Sequence, residues 1–307
     1  MDKNQGLTRR GVLGCAGLTL LSACAPASLP APVTPSAPSA PTTGATASPI
    51  AAPTPTPTPG PTTPPGPALP TRDQIIATYG GRTPTQWALE VTGLVLRTAG
   101  PAVALTLDAC GGPTPGTGGN GVDSELVDFL IAEEFPATLF LNQRWIRNNR
   151  GVFDSLAARQ DLFTLGNHGT RHAPLSVNGK TAYSEKGTAD VGEVYDEVVG
   201  NQLYMTDLLG AAPRFFRTGT AFYDEVAVEI VRALGLLPIG FDINGDAGTT
   251  FPKKTIIAET EKSKPGSIII SHMNRPAGST FEGLSVALPA MRARGLTFAK
   301  LGDLTLS

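Results

Sequence analysis

Val103-Ala104-Leu105-Thr106-Leu107-Asp108 is an apolar run that ends on an acid, and its reading decides the fold. It reads as a buried strand with a carboxylate at its C-terminal end. Runs of the same kind recur at 137–141, 162–165, 214–216, 237–241, 267–270 and 297–301. Amphipathic, helix-like patterns lie between them at 123–135, 190–209, 224–234, 253–263 and 284–294. Asp123 or Ser124 stands as an N-cap before Leu126, Phe129 and Leu130, and Gly235 and Gly295 stand where helices stop. A β/α alternation repeated about seven times predicts an α/β fold with a parallel sheet, most simply closed as a barrel.

In such barrels the chemistry sits at the C-terminal ends of the strands. Asp108 ends the first run, His168 and His172 follow the third, Arg217 follows the fourth, Asp242 and Asp246 follow the fifth, and His272 follows the sixth. The chain has three histidines, all accounted for by these positions. The i, i+4 spacing of His168 and His172 puts both rings on one side of a helical turn, so that they share one metal ion. Taken singly, an Asp after a strand is commonly a cap or turn residue, and a lone His there is commonly a satisfied core group. Their joint position on one rim points instead to hydrolysis at a metal, which needs a cation, a base for water and an acid for the leaving amine. His168 and His172 are the expected metal ligands, Asp108 the base and His272 the acid. Asp246 or Asp242 is expected to orient His272, and Arg217 to fix Asp108.

Outward from this core, the composition is near neutral, with a formal charge of -2, 16% charged and 41% hydrophobic residues. That excludes the basic footprint of a nucleic-acid binder. Thr8-Arg9-Arg10 precedes the apolar run 12–23, which is too short to span a bilayer and reads as a twin-arginine export signal. Leu21-Ser22-Ala23-Cys24 resembles a bacterial lipobox, so residues 1–24 are expected to be removed up to a lipidated Cys24. The remaining cysteines are Cys15 and Cys110, which leaves the mature domain one thiol and no internal disulfide. Residues 25–70 hold no Asp, Glu, Lys or Arg and are dominated by Pro, Thr, Ala and Ser. Such a disordered, extended spacer, at about 3.1 Å per residue, reaches on the order of 100 Å from a membrane anchor. Globular composition begins near residue 71; segment 71–102 is a lead-in of unassigned place, and 103–307 is the expected catalytic domain.

Residues 103–301 resemble the NodB-homology polysaccharide deacetylases, carbohydrate esterase family four, and within them a lipoprotein-like branch with a TFDACGG-type first motif. Ala104-Leu105-Thr106-Leu107-Asp108-Ala109-Cys110-Gly111-Gly112 matches the first motif, and His168 to His172 the second. Phe215-Phe216-Arg217-Thr218-Gly219-Thr220 matches the third, Asn244-Gly245-Asp246-Ala247 loosely the fourth, and Ile269-Ile270-Ser271-His272 the fifth. The resemblance implies a distorted (β/α) barrel of fewer than eight strands, a divalent metal, usually zinc, and removal of N-acetyl groups from peptidoglycan, chitin or exopolysaccharide. By motif position it implies Asp108 as base, His168 and His172 as ligands, Arg217 as the residue orienting the base, Asp246 as partner of the acid, and His272 as the acid.

Ala109 stands where the family carries a second, metal-binding aspartate. Three repairs offer themselves: Asp108 shifts onto the ion, Cys110 supplies a thiolate, or water completes a two-histidine site. The first is the one expected, with Cys110 read as a small core residue. Ala247 and the segment 218–220 make the groove less aromatic than usual, with Trp145, Phe222 and Tyr223 as compensating rings and Asn274 and Arg275 as polar contacts near the acid. The expected protein is thus an exported, membrane-anchored deacetylase of a surface glycan. A small-molecule amidohydrolase and a non-catalytic glycan binder are the rivals, the latter favoured by Ala109.

Overall fold

The computed structural model describes residues 69–112 and 119–306. The expectations for residues 1–24 and 25–70, Cys24 among them, lie outside the described residues apart from Leu69 and Pro70. In chain order the strands are β1 (Thr98–Ala99), β2 (Ala104–Ala109), β3 (Ala137–Leu141), β4 (Phe163–Asn167), β5 (Thr181–Ala182) and β6 (Glu185–Lys186). They continue with β7 (Phe215–Phe216), β8 (Leu237–Pro238), β9 (Ile243–Asn244), β10 (Ile268–His272) and β11 (Thr305–Leu306). Among the described residues the central sheet has seven strands in the order β8-β7-β4-β3-β2-β10-β9, and every neighbouring pair is parallel. Helices Ser124–Ala132, Arg150–Ala157, Val191–Leu209, Glu225–Ala233 and Lys253–Thr260 supply the crossovers that parallel strands require. Three of them start directly after a capping aspartate: Asp123 accepts from Leu126 N, Asp190 from Glu193 N and Asp224 from Ala227 N.

The sheet is curled, and chain connectivity requires it. Its outermost strands, β8 and β9, are separated in sequence by only four residues. A flat sheet of this size is about 29 Å wide at about 4.8 Å per strand, which a link of four residues, at most about 18 Å long, cannot cross. One stretch, 237–244, therefore serves both edges. Its first half bonds to β7 through Leu237 N to Arg214 O and Ile239 N to Phe216 O, and its second half to β10 through Asp242 N to Ile268 O and Gly245 N to Ile270 O. The fold is the expected α/β barrel, distorted where this stretch changes partner.

Two apolar layers result from strand alternation. Ala104, Phe140, Phe215, Ile239 and Ile268 fill the interior, while Leu105, Leu107 and Ala109 face the helices together with Leu126, Leu130 and Leu284.

The lead-in segment now has a place. Helix Arg72–Tyr79 is closed by a reciprocal cap between Thr71 and Gln74, and Arg72 pairs with Asp196 at 3.0 Å. Val95 then bonds on both sides of Ile239, from Val95 N to Pro238 O and from Gly240 N to Val95 O, and Arg97 pairs with Asp242. It thus wedges into the seam where stretch 237–244 leaves one edge for the other. The expected strand 297–301 is absent as a regular strand. Phe298 makes a single bridge to Val103, Leu301 N then donates to the Thr138 hydroxyl instead of a strand carbonyl, and the chain turns into a 3-10 helix at Leu301–Asp303. Strands β2 and β10 run further than expected, so Asp108 and His272 lie within them and not after them. Among the described residues no helix is long and apolar enough to cross a membrane.

Candidate active site

Strand register brings the expected acid and the expected base side by side. Asp108 and His272 are direct partners across the β2–β10 pair. The Asp108 carboxylate is 2% exposed, and Arg217, fully buried, donates to its Oδ1 at 2.8 Å. The rest of the guanidinium is equally committed: Nη1 donates to Thr106 Oγ1 at 2.8 Å, Nη2 to Gly240 O at 2.9 Å and Nε to Ile239 O at 3.3 Å. The plane of Arg217 also lies over the Phe140 ring, 4.4 Å from its centroid. Both of those carbonyls belong to the stretch that links the sheet edges, so the residue that holds Asp108 is itself held by the element that completes the barrel.

His272 Nδ1 donates to Asp246 Oδ1 at 2.8 Å, and its backbone N–H donates to Oδ2 of the same carboxylate at 2.8 Å. Thr280 Oγ1 and Gly248 N complete the buried Asp246. Burial alone pulls the His272 pKa down, but the charge and hydrogen bond of Asp246 outweigh it and hold the imidazole well above its ordinary value. Burial likewise pushes Asp246 up, and His272 and Thr280 bring it below the usual carboxylate value. Asp242, the alternative partner, is engaged elsewhere, by Arg97, Ser267 Oγ and Ile268 N.

His168 and His172 meet as expected, with ring centroids 5.0 Å apart, but not on a helical turn. Segment 168–172 is an irregular loop with left-handed backbone at Gly169 (φ 78°) and His172 (φ 65°). Polar groups that no sequence pattern marks hold it in place. Asn142 Nδ2 donates to the carbonyls of His168 and Gly169, Asn167 Oδ1 accepts from Gly169 N, and the buried carboxylate of Glu197 accepts from Arg171 N and Ala173 N on either side of His172. A Cβ at Gly169 would meet Glu197 Oε1 at 2.4 Å, so both the backbone angle and the space require glycine there.

Each imidazole of this pair has a partner for its Nδ1. His168 Nδ1 lies 2.8 Å from Arg217 O, which can only accept, so Nδ1 carries the proton and Nε2 is the free lone pair. His172 Nδ1 faces Glu185 Oε2 at 3.2 Å from the β5–β6 hairpin. Cys110 completes the group: its Sγ and the two imidazoles present ligand atoms all within 4.8 Å of one another. Burial pushes the Cys110 thiol up, yet the His172 charge and the surrounding imidazole hydrogen bonds bring it well below its ordinary value. For His172, burial lowers the pKa, and Cys110 and Glu185 raise it to about 10. A thiol and two imidazoles with an open side suit a divalent metal of the zinc type.

The cleft over these groups, about 510 Å³, is bordered by Tyr183, Leu89, Phe241, Asn244 and Arg275. The compensating rings fall elsewhere: Trp145 and Tyr223 are fully buried, with Trp145 Nε1 donating to Gly121 O and the Tyr223 hydroxyl accepting from Thr218 N. Phe222 lies between Trp87, tilted at 44°, and Tyr183, edge-on at 85°, and Tyr183, 70% exposed, borders the cleft together with Phe241. Asn274 is buried and donates to Gly119 O, so of the two expected polar contacts Arg275 is the one at the rim.

The sequence profile of the polysaccharide deacetylase family matches residues 96–239. No curated protein matches the chain. Among solved structures, a CE4 family pseudoenzyme from Bacillus anthracis superposes with a TM-score of 0.56 at 18% identity, over 70% of this chain and 69% of its own. A peptidoglycan N-acetylglucosamine deacetylase gives 0.56 at 20%, over 69% and 92%. PdaA of Bacillus subtilis, a family 4 carbohydrate esterase, gives 0.52 at 18%, over 76% and 87%. At these identities the likeness establishes the fold. The profile match spans 144 of the 307 residues, just under half of the chain, and it lies within the region that shares this fold.

Proposed function

We propose that this chain is a metal-dependent hydrolase that removes N-acetyl groups from a cell-envelope glycan. The observation that carries the proposal is the register pairing of Asp108 with His272, each fixed by its own partner, beside a cluster of metal-ligand type under an open cleft. A bound divalent ion would polarise the acetyl carbonyl and acidify water. Asp108, held by Arg217, takes the proton from the attacking water. His272, kept protonated by Asp246, gives a proton to the departing amine. Tyr183 offers an exposed ring face to a sugar, and Arg275 a donor at the rim. The N-terminal signal, a lipidated Cys24 and the Pro/Thr-rich spacer extend the proposal to a protein tethered at the outer face of the membrane, within reach of a fixed polymer.

The test is acetate release from N-acetylated peptidoglycan fragments and chitin oligosaccharides by the full chain, zinc-loaded and then chelated. Release that chelation abolishes and zinc restores is expected. A folded, zinc-loaded protein that releases none overturns the hydrolase reading in favour of the binder that Ala109 supports. A Cys24→Ser variant is expected to leave the membrane fraction, and continued pelleting with membranes overturns the anchor.

A further inference from the structure

Strand parity decides which residue beyond Asp108 reaches the site. Along β2, Thr106 and Asp108 face the interior, where both meet Arg217. Leu105, Leu107 and Ala109 face the other way, into the apolar layer that includes Leu126 and Trp145. Positions i and i+2 share a side of a strand, and Cys110, the first residue after β2, keeps to the interior series with its Sγ beside His168, whereas position 109 does not. A carboxylate at 109 would enter the apolar layer under the helices.

We propose that the Cys110 thiolate takes the place of the missing aspartate as the third protein ligand, forming a Cys/His/His zinc centre with one open position. This deepens the deacetylase reading and rests on it for the presence of an ion. The Cys110 Sγ to His168 Nε2 distance is 3.7 Å. Two ligands of a tetrahedral zinc, with bonds of about 2.3 Å to sulfur and 2.0–2.1 Å to nitrogen, lie about 3.6 Å apart. The His168 tautomer already leaves Nε2 as the lone pair at that position, and the Glu185 carboxylate behind His172 is the outer partner that a ligating imidazole usually has. Asp108 fits the role less well. It stands outside the mutually close cluster, its Oδ1 is committed to Arg217, and its Oδ2 is 3.7 Å from His168 Nε2 where an oxygen–nitrogen ligand pair would be about 3.3 Å apart. The base is thereby left free of the ion. A soft sulfur ligand also selects zinc over the harder magnesium and manganese.

X-ray absorption of the full chain with one equivalent of zinc tests this, alongside the near-ultraviolet spectrum of the cobalt form. One sulfur scatterer at about 2.3 Å, a sulfur-to-cobalt charge-transfer band, and loss of both in Cys110→Ser are expected. A Cys15→Ser, Cys24→Ser variant is expected to keep both, which guards against thiols elsewhere and against a Cys110 variant that fails to fold. Zinc should also protect Cys110, read by peptide mass spectrometry, from alkylation by iodoacetamide. A first shell of nitrogen and oxygen alone overturns the thiolate ligand even if acetate is released. A sulfur shell without acetate release supports the ligand while sinking the deacetylase reading. An acetyl thioester on Cys110 during turnover by metal-free protein would make the residue a nucleophile and overturn the assignment.

Discussion

Replacing Arg217 by Met removes a guanidinium whose hydrogen bonds all end inside the protein. Met is of similar length, so the dominant loss is electrostatic and not a cavity. Asp108, 2% exposed, is left as a buried charge without a partner, and Thr106 Oγ1 and the carbonyls of Ile239 and Gly240 lose their donor. Breaking one side of a buried ion pair destabilises by about 3–5 kcal/mol. That is a large share of the total stability of about 5–15 kcal/mol usual for a folded protein. For a folded region near the upper end of domain size, each kcal/mol moves the melting temperature by about 2–4 °C, so a drop of roughly 6–20 °C is expected. Asp108→Asn in the same background removes the stranded charge, and the double variant should recover about 1–3 kcal/mol relative to the sum of the single changes. Urea titration of the four proteins at pH 7 measures this cycle. If Arg217→Met shifts stability by less than about 0.5 kcal/mol, as an ordinary surface change does, or if the double variant shows no recovery, the claim that Arg217 exists to hold the Asp108 charge is refuted.

Gly169→Ala should destabilise by about 1–3 kcal/mol through left-handed backbone strain and its clash with Glu197, and should weaken zinc binding at His172; calorimetry with and without zinc reads both. Asp246→Asn removes the charge that raises His272, so the alkaline limb of the kcat profile should move to lower pH, and an unmoved limb would mean His272 is not the acid. In stability, the pair contributes most between the ordinary carboxylate value of 3.8 and the ordinary imidazole value of 6.5. That contribution is lost as pH falls through the depressed Asp246 value or rises through the elevated His272 value, so urea titrations of Asp246→Asn and the parent should differ most near pH 5–6. Tyr183→Ala should raise KM for an oligosaccharide two- to tenfold, from about 0.5–1.5 kcal/mol of ring contact, with kcat unchanged.

The sequence made the alternation of strands and helices legible because apolar runs buried on both faces have few other readings. Asp108, His168, His172, Arg217, Asp246 and His272 converge as the rim argument requires. Cys110, expected as a small core residue because a single thiol beside a strand has that composition, presents its Sγ to His168 and His172; its spacing from Asp108 was the available signal. The lead-in resisted because its partners are remote in sequence, Val95 against Ile239 and Arg97 against Asp242, and no local periodicity encodes such pairings. Run 237–241 looked like one strand but bonds to β7 only as far as Ile239, and the chain from Asp242 goes over to β10, which only the closure of the sheet dictates. The HxxxH spacing was right about proximity and wrong about mechanism, since Gly169 and buried Asn142, Asn167 and Glu197 shape that loop.

Arg217 grips the site twice, by its side chain on Asp108 and by its carbonyl on His168 Nδ1. Any thermal displacement of the end of β7 therefore carries Asp108 and the His168 imidazole in the same direction. The separation between the two is steadier than the position of either, much as two instruments bolted to one bench stay aligned while the bench shakes. A fold with a two-residue strand at this point can tolerate breathing there and still keep Asp108 and His168 in constant relation.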